Sequence, residues 1–541
     1  MLKGAPEDQM KAVDLQTGAP SEGDTRIFAP PKGLFYALLC VLVVYAMVRG
    51  IAAAAAKPFW YDEMMTLTVG SQGSWKGIVA AQRQALDSNP PLFYLIENYA
   101  SKIAGNQEIA LRLPSILAFP CTLVCVFVFL RKSAGEMIAL LCAGFLLSTE
   151  LFQYYAVEAR PYSMVVACIA FALVCYQRLP SKVWTVLFAL ALALAQCLHY
   201  YAFLAIAPFG LAELVYSFRA KKIRWSVWAA MAFGCLPLGL FWPLLSALKS
   251  YYGAHNWMRV FGVRGAQQVY GEIMRTGWRT GEAIVAVLFV VLAAEWLRKA
   301  REEEADGEKR ERELVQIVAL GGFLLLPFLG FALTHITNSG LVPRYVLCTL
   351  LGIAAALGLL LQRAGRLGLI LALVVVGFVG LAEVRFWKTW ETNLAAVKAY
   401  GSTRERFIEQ KGYGDLPIIV PNGLVVVALA HYADAPFVSR LLFMKQDPEP
   451  ENPRFTDTID RELELYQRYA PLKVSTFNEF AGAHNSFLLY LEREHDGEAL
   501  LDRLSREGWT TRVLESKGYV RLYLVSRGER AAPAAASTSL R

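Results

Sequence analysis

The sequence predicts a mainly α, polytopic membrane protein that carries an α/β domain at its C-terminal end. Three observations lead there. Hydrophobic residues make up 55% of 541 and charged ones only 18%, with a mean hydropathy of +0.37, more apolar material than a soluble core needs. The apolar residues form about eleven runs near the length of a bilayer's hydrocarbon core. The basic residues gather in short clusters between those runs, and the region beyond the last run alternates strand-like and helix-like segments.

Taken in order, residues 1–33 are polar and rich in Gly, Pro and acids, and read as a cytoplasmic tail. The run at 34–56 is too long for a signal-peptide core and reads as a retained span. Further runs lie at 110–130, 136–149, 162–177, 183–198, 202–217, 226–248, 281–297, 314–333, 344–362 and 367–385. Arg131-Lys132, Arg178 and Lys182, the 219–224 cluster, the 298–312 run, and Arg363 with Arg366 occupy alternate loops. The positive-inside rule then places the N-terminus in the cytoplasm and everything after about residue 386 outside, in a cell (inner) membrane. The net charge of +8 is accounted for by these clusters; they form no continuous stripe, so nucleic-acid binding is set aside.

The nine cysteines fall between Cys40 and Cys348 without CxxC or His-spaced pairing, and read as small buried apolar residues. The segment 386–530 therefore stands on its own core. In it, 417–420, 437–443, 486–491, 510–514 and 519–525 read as strands, and 424–432 and 496–508 as helices, a small mixed sheet with helices on its faces. The tail at 531–541 is low-complexity and reads as disordered. No internal repeat supports an inverted-repeat transporter.

The chemistry-bearing residues all thread to the outer side. Asp62-Glu63 follow the first run, within an outer loop spanning 57–109 that also holds Asn89-Pro90-Pro91. Glu158-Ala159-Arg160-Pro161-Tyr162 precede the fourth run, His199-Tyr200-Tyr201 join the fifth and sixth, and His335 and Pro343-Arg344-Tyr345 flank the start of the tenth. Each has a plain structural reading: snorkelling arginines, aromatic-belt tyrosines, a Pro-Pro helix start. Together they match the needs of transfer from a lipid phosphate. Arginines at headgroup level hold a phosphate leaving group and stabilise the charge that builds on it. A carboxylate on the far side of the anomeric carbon serves as base in inverting sugar chemistry. Neighbours such as Asp62 and Glu63 cannot both address one atom, so one acts as base while the other orients it, binds acceptor or ligates a cation.

Tyr61-Asp62-Glu63, Asn89-Pro90-Pro91-Leu92-Phe93-Tyr94, Glu158-Ala159-Arg160-Pro161-Tyr162, His199-Tyr200-Tyr201-Ala202 and Pro343-Arg344-Tyr345 resemble, in that order, the pattern of polytopic GT-C glycosyltransferases. More narrowly, residues 34–385 resemble the protein mannosyltransferase and lipid A aminoarabinose transferase superfamily, in its bacterial branch related to lipopolysaccharide-core galacturonosyltransferases. The resemblance implies a membrane enzyme that takes a sugar from a polyprenyl-phosphate donor on the outer face, with inversion and without a nucleotide sugar. It implies Asp62 and Glu63 as the catalytic pair, Arg160 and Arg344 as donor phosphate-binding residues, and a cavity lined by Tyr61, Asn89, Glu158, Tyr162, His199, Tyr200, His335 and Tyr345. Two departures stand out: Asn89 replaces a histidine common among relatives, and the C-terminal domain has no counterpart whose role transfers. No cofactor is obligatory. A divalent metal is compatible with Asp62, Glu63 and Glu158 only if the outer loops bring them together. The acceptor, whether glycan, lipid or protein, is left open, as is the competing reading of a transporter or flippase for lipid-linked saccharides.

Overall fold

The computed structural model describes residues 33–103, 105–253, 263–274, 278–301, 307–337, 341–446, 457–493 and 497–527; most of the N-terminal tail and the whole C-terminal tail lie outside them. The chain starts with α1 (Leu34–Ala55), then crosses a loop region folded into α2 (Tyr61–Gly70), α3 (Trp75–Arg83) and α4 (Pro91–Ala100). The bundle continues through α5 (Gln107–Ala134), α6 (Glu136–Phe145), α7 (Glu150–Ala156), α8 (Tyr162–Tyr176) and α9 (Lys182–Leu198). A 3₁₀ segment, Tyr200–Ile206, leads to α10 (Ala207–Ala220), α11 (Trp225–Leu240), α12 (Trp242–Tyr252), α13 (Val263–Met274), α14 (Trp278–Arg301), α15 (Gly307–Leu324) and α16 (Leu326–Thr337). A 3₁₀ turn at Pro343–Val346 precedes α17 (Thr349–Arg363), α18 (Gly365–Lys398) and α19 (Tyr400–Glu409).

Every apolar run read from the sequence lies on helix, and the protein is multi-pass. Among the described residues five helices are long and apolar enough to cross a membrane, rising to eight when each of three bent pairs is taken as one span. The run at 136–149 does not continue straight: α6 and α7 meet at 76°. α8, α9 and α17 are shorter apolar helices. α5, α8 and α17 form the buried centre, whereas α1 exposes Leu38, Val41, Val44 and Val48, and α18 exposes Ile370, Leu373, Val376, Leu381 and Val384. An apolar face turned outward has no favourable solvent but lipid. Gly352 lets α17 cross α15 closely, since a Cβ there would stand 3.0 Å from the Leu320 carbonyl and the Leu324 amide.

The two ends of the bundle differ in charge. Arg131 reaches the Tyr36 hydroxyl at the start of α1, Gln177 reaches the Phe129 carbonyl at 3.0 Å, Gly358 lies against Leu130, Arg363 pairs with Glu295, and Arg219 pairs with Glu311 at 3.0 Å. The basic loops therefore share one end. The last turn of α1, at Ala54, meets Arg112 at the other.

The C-terminal domain is a six-stranded sheet in the order β3-β2-β1-β4-β6-β5, built from β1 (Ile418–Val420), β2 (Leu441–Met444), β3 (Lys473–Ser475), β4 (Ser486–Leu491), β5 (Trp509–Lys517) and β6 (Val520–Arg527). The first four positions pair parallel and β4-β6-β5 antiparallel. Helices α20 (Gly423–Tyr432), α21 (Ala435–Arg440), α22 (Thr458–Tyr466), α23 (Phe477–Ala483) and α24 (Glu498–Arg506) connect them. The stretch 437–443, expected as strand throughout, is helical to Arg440. Asp434 caps this turn by accepting from the Phe437 amide at 3.1 Å, and Pro436 lies in its first turn, a helix-start signal that outweighs local β-propensity. Alternation across the sheet is strict: Ile419, Phe487 and Leu489 enter a separate core with Phe477 and Trp509, while Ile418, Val420, Leu488 and Tyr490 join the core of the membrane body. One face of the domain is thus continuous with the bundle.

Candidate functional site

The site is organised by an ion pair that the sequence does not advertise. Glu63, in the first turn of α2, is fully buried against Arg112 of α5. Arg112 Nε donates to Oε1 at 2.7 Å and Nη2 to Oε2 at 2.6 Å. The Ala159 amide donates to Oε1 at 2.9 Å and the Trp60 amide to Oε2 at 3.3 Å. Arg112 spends its remaining donors on the carbonyls of Ala54, Lys57 and Pro58, at 2.8, 2.6 and 3.0 Å. Burial pushes the Glu63 carboxyl up, but the Arg112 guanidinium outweighs it and holds the group below the usual carboxylate range. The end of α1 with the loop after it, α2, α5 and the 158–160 loop are fastened at this point, so α2 and the 158–160 loop hold fixed positions relative to each other.

Asp62, one residue earlier, has the opposite character. Its Oδ2 lies 3.6 Å from Arg344 Nη2 and 4.0 Å from Arg160 Nε. Asp62 Oδ2, Arg160 Nε and Arg344 Nε are all buried without a hydrogen-bond partner. The Asp62 carboxylate thus faces two guanidinium groups at just more than hydrogen-bond distance, and each of the three side chains keeps one orphaned polar atom.

Arg160 is fixed by its other nitrogens. Nη1 donates to Asp87 Oδ2 at 2.7 Å, Thr66 Oγ1 at 3.1 Å and the Asp62 carbonyl at 3.2 Å. The Asn89 amide, turned with its oxygen toward Arg160, accepts from Nη2 at 3.0 Å. The Asn89 backbone amide donates to the Tyr94 hydroxyl at 3.1 Å, which ties the turn before Pro90-Pro91 to the helix it starts.

Arg344 stands over the rings of Tyr162 and Tyr345, 5.7 and 5.8 Å from their centroids. Tyr345 stacks on Tyr201 at 4.4 Å, and His199 packs against Tyr162 and Tyr345 at 5.2 and 5.1 Å. These residues line a pocket with Val165, Leu326 and Cys348. Burial, reinforced by Arg160 and Arg344, pushes His199 down to about 3, so it is neutral at physiological pH. Its Nδ1 accepts from the Tyr201 amide at 3.2 Å. Tyr200 turns a buried hydroxyl without a partner into the protein.

Of the remaining residues singled out from sequence, Glu158 is buried and paired with Lys57 at 2.8 Å, and Tyr61 donates to Glu462 of the C-terminal domain at 2.8 Å. His335 is exposed on α16, its ring against Phe331 at 4.6 Å, and does not join the Asp62 constellation. Among the described residues no three His, Cys, Asp or Glu side chains form a metal-holding group. Glu63 and Glu158, two of the three carboxylates considered for a metal, are engaged by Arg112 and Lys57. Three residues that sequence reasoning passed over matter here: Arg112, Lys57 and Glu462. Only Arg112 left a signal, as an ionisable residue inside an apolar run.

Glu97 is fully buried on α4, with neither carboxylate oxygen bonded. Burial and the nearby Glu63 charge push it well above the carboxylate range.

The family described as Dolichyl-phosphate-mannose-protein mannosyltransferase matches residues 88–246. No curated protein matches the chain by sequence. The crystal structure of ArnT from Cupriavidus metallidurans bound to undecaprenyl phosphate superposes with a TM-score of 0.55 at 13% identity, covering 91% of this chain and 98% of that one. The apo structure of the same protein gives the same score and identity over 90% and 98%. The chain therefore has the GT-C fold of ArnT along nearly its whole length, and its resemblance to the mannosyltransferase and aminoarabinose transferase superfamily is borne out.

Proposed function

We propose that this protein is an inverting glycosyltransferase that moves a sugar from a polyprenyl-phosphate carrier to an acceptor hydroxyl at the outer face of the cell membrane. The observation that carries the reading is the approach of Arg344 and Arg160 to Asp62 Oδ2 at 3.6 and 4.0 Å beside an aromatic pocket, with Asp62 Oδ2, Arg160 Nε and Arg344 Nε each buried and unbonded. A structure with this fold is bound to undecaprenyl phosphate, which supports a carrier of that kind.

In the proposed reaction the bond between the anomeric carbon and the phosphate oxygen breaks, and the electron pair leaves with the phosphate toward Arg344. Arg344 faces the phosphate because, unlike Arg160, it is not neutralised by a short ion pair. Arg160, locked to Asp87, positions Asp62 and contributes its Nε. The acceptor oxygen bonds to the anomeric carbon from the opposite face and gives its proton to Asp62. Glu63, saturated by Arg112 and backbone amides, acts as a positioning residue. His199 and Tyr345 form the wall against which Arg344 is held. The basic end of the bundle faces the cytoplasm, and the C-terminal domain stands outside.

The test is release of labelled sugar from a panel of undecaprenyl-phosphate hexoses by the full chain in nanodiscs, with and without acceptor. Turnover of at least one donor, abolished in Asp62→Asn, is expected. Movement of intact donor across a vesicle membrane without any cleavage would replace this reading with the flippase one.

A further inference from the structure

The C-terminal domain meets the α2 region through two helices: α20, whose Tyr432 hydroxyl accepts from the Phe59 amide at 2.8 Å, and α22. α22 touches α2 through two side chains, Glu462 on Tyr61 and, one turn later, Tyr466 on Thr68. The i, i+4 spacing of Glu462 and Tyr466 puts both on the face that meets α2. Its first turn is anchored to the end of α12: the Tyr251 hydroxyl donates to the Arg461 carbonyl at 3.0 Å, and Arg461 Nη1 to the Tyr251 carbonyl at 3.5 Å. Arg468 adds a bond to Gln84 at 3.1 Å. A carboxylate is a costly residue for such a seam, because a fully apolar contact would close it without desolvating a charge.

The groups that Glu462 feels belong to the site. Burial, with the charges of Asp87 and Asp62, pushes its carboxyl up to about 8, partly offset by the Tyr61 hydrogen bond and by Arg160. Tyr252, at the end of α12, feels the charge of the same carboxyl and donates a hydrogen bond to the Ala85 carbonyl at 3.0 Å. Tyr61 and Asp62 are consecutive residues on α2. Arg344, the phosphate-facing arginine, approaches Asp62 Oδ2 at 3.6 Å, whereas Glu462 bonds Tyr61 and feels the charges of Asp87, Asp62 and Arg160 but not that of Arg344. Inversion requires acceptor and leaving group on opposite faces of the anomeric carbon, so with the leaving phosphate at Arg344 the acceptor's side is the one away from that arginine.

We propose that Glu462, held by Tyr61, is an acceptor-binding residue, so that the C-terminal domain forms one wall of the acceptor subsite and recognises a hydroxyl-rich acceptor. The proposal rests on the glycosyltransferase reading above. A carboxyl group beside a tyrosine hydroxyl both gives and takes hydrogen bonds, the complement of a sugar hydroxyl pair and not of an aliphatic chain.

The test uses the full chain in nanodiscs, with a donor hexose shown to be cleaved and a methyl hexopyranoside as acceptor probe. In Glu462→Ala, acceptor KM rises tenfold or more while kcat stays within threefold, and affinity for undecaprenyl phosphate changes by less than twofold. Glu462→Gln, which keeps an acceptor for the Tyr61 hydroxyl, recovers most of that KM, and Tyr61→Phe falls between. A purely structural seam would lower kcat and thermal stability together and leave the KM ratio alone. Unchanged acceptor KM in a folded Glu462→Ala, or donor hydrolysis without transfer to the glycoside in the native chain, overturns the proposal. Absence of any donor cleavage in the native chain overturns the glycosyltransferase reading itself and the acceptor assignment with it.

Discussion

Buried charges at the two ends of the helical bundle are handled in opposite ways. At the basic end Glu213 of α10 takes the Tyr176 hydroxyl at 2.7 Å, Arg224 Nε at 3.0 Å and a second bond from Arg224. Glu295 takes Arg298 at 2.9 Å and Arg363. At the other end Asp62, Arg160 and Arg344 keep open atoms. The contrast is repeated within one dipeptide, where Glu63 is saturated and Asp62 is not. A closed buried network fixes a scaffold, whereas an open one costs stability that only a ligand restores. Open atoms occur elsewhere, at Arg131 and Glu97, so it is open groups of opposite charge set beside one another that mark the site.

The strongest way to break this comparison is Asp62→Asn, which keeps the shape and removes the base. Turnover should fall by about 10³-fold or more with thermal stability unchanged; retained turnover would show that the open carboxylate is not the base. Arg112→Ala tests the closed half of the dipeptide. It leaves Glu63 buried and unpaired and should cost about 3–5 kcal/mol, read as a collapsed yield of folded protein in detergent. Arg224→Ala at the basic end should behave the same way, since Glu213 is closed by the same logic.

Arg344→Ala sharpens the open half. Loss of a charged donor to phosphate should weaken undecaprenyl phosphate binding by about 10–100-fold, measured by titration in nanodiscs, while folding is kept. The smallest effect concerns the domain seam. Glu462 rises in the folded state from an ordinary value of 4.5 to about 8, so its contribution to docking is full below about 4.5 and is lost as pH climbs through about 8. Amide exchange in α22 should therefore speed up between pH 5 and 8 beyond its intrinsic increase, and Glu462→Gln should flatten that change.

Much of the fold was legible because it depends on local pattern. Apolar runs near bilayer length must become helices, since backbone groups in lipid have no other partner, and each of those runs is helical. The strands at 418–420, 486–491 and 520–527 were readable from β-branched and aromatic runs. The break between α6 and α7 and the helical turn at Ala435–Arg440 were not, because each turns on a few residues at a junction. For the site, Asp62, Arg160 and Arg344 stand out from loops far apart in sequence, and the structure brings both arginines within 4.0 Å of Asp62. His335 was grouped with them by its place in the order of runs, yet it faces outward from α16.

By itself, the sequence determined that the chain is a membrane protein with an outlying α/β domain, and which ionisable residues stand at the ends of its runs. Hydropathy and charge are properties of segments, so they survive without coordinates. Only the tertiary structure decided which member of the Asp62-Glu63 pair is closed and which is open, that Asp87 occupies Arg160, and that α22 brings Glu462 to Tyr61. Those facts depend on which segment packs on which across hundreds of residues, and no local pattern encodes a partner 401 positions away.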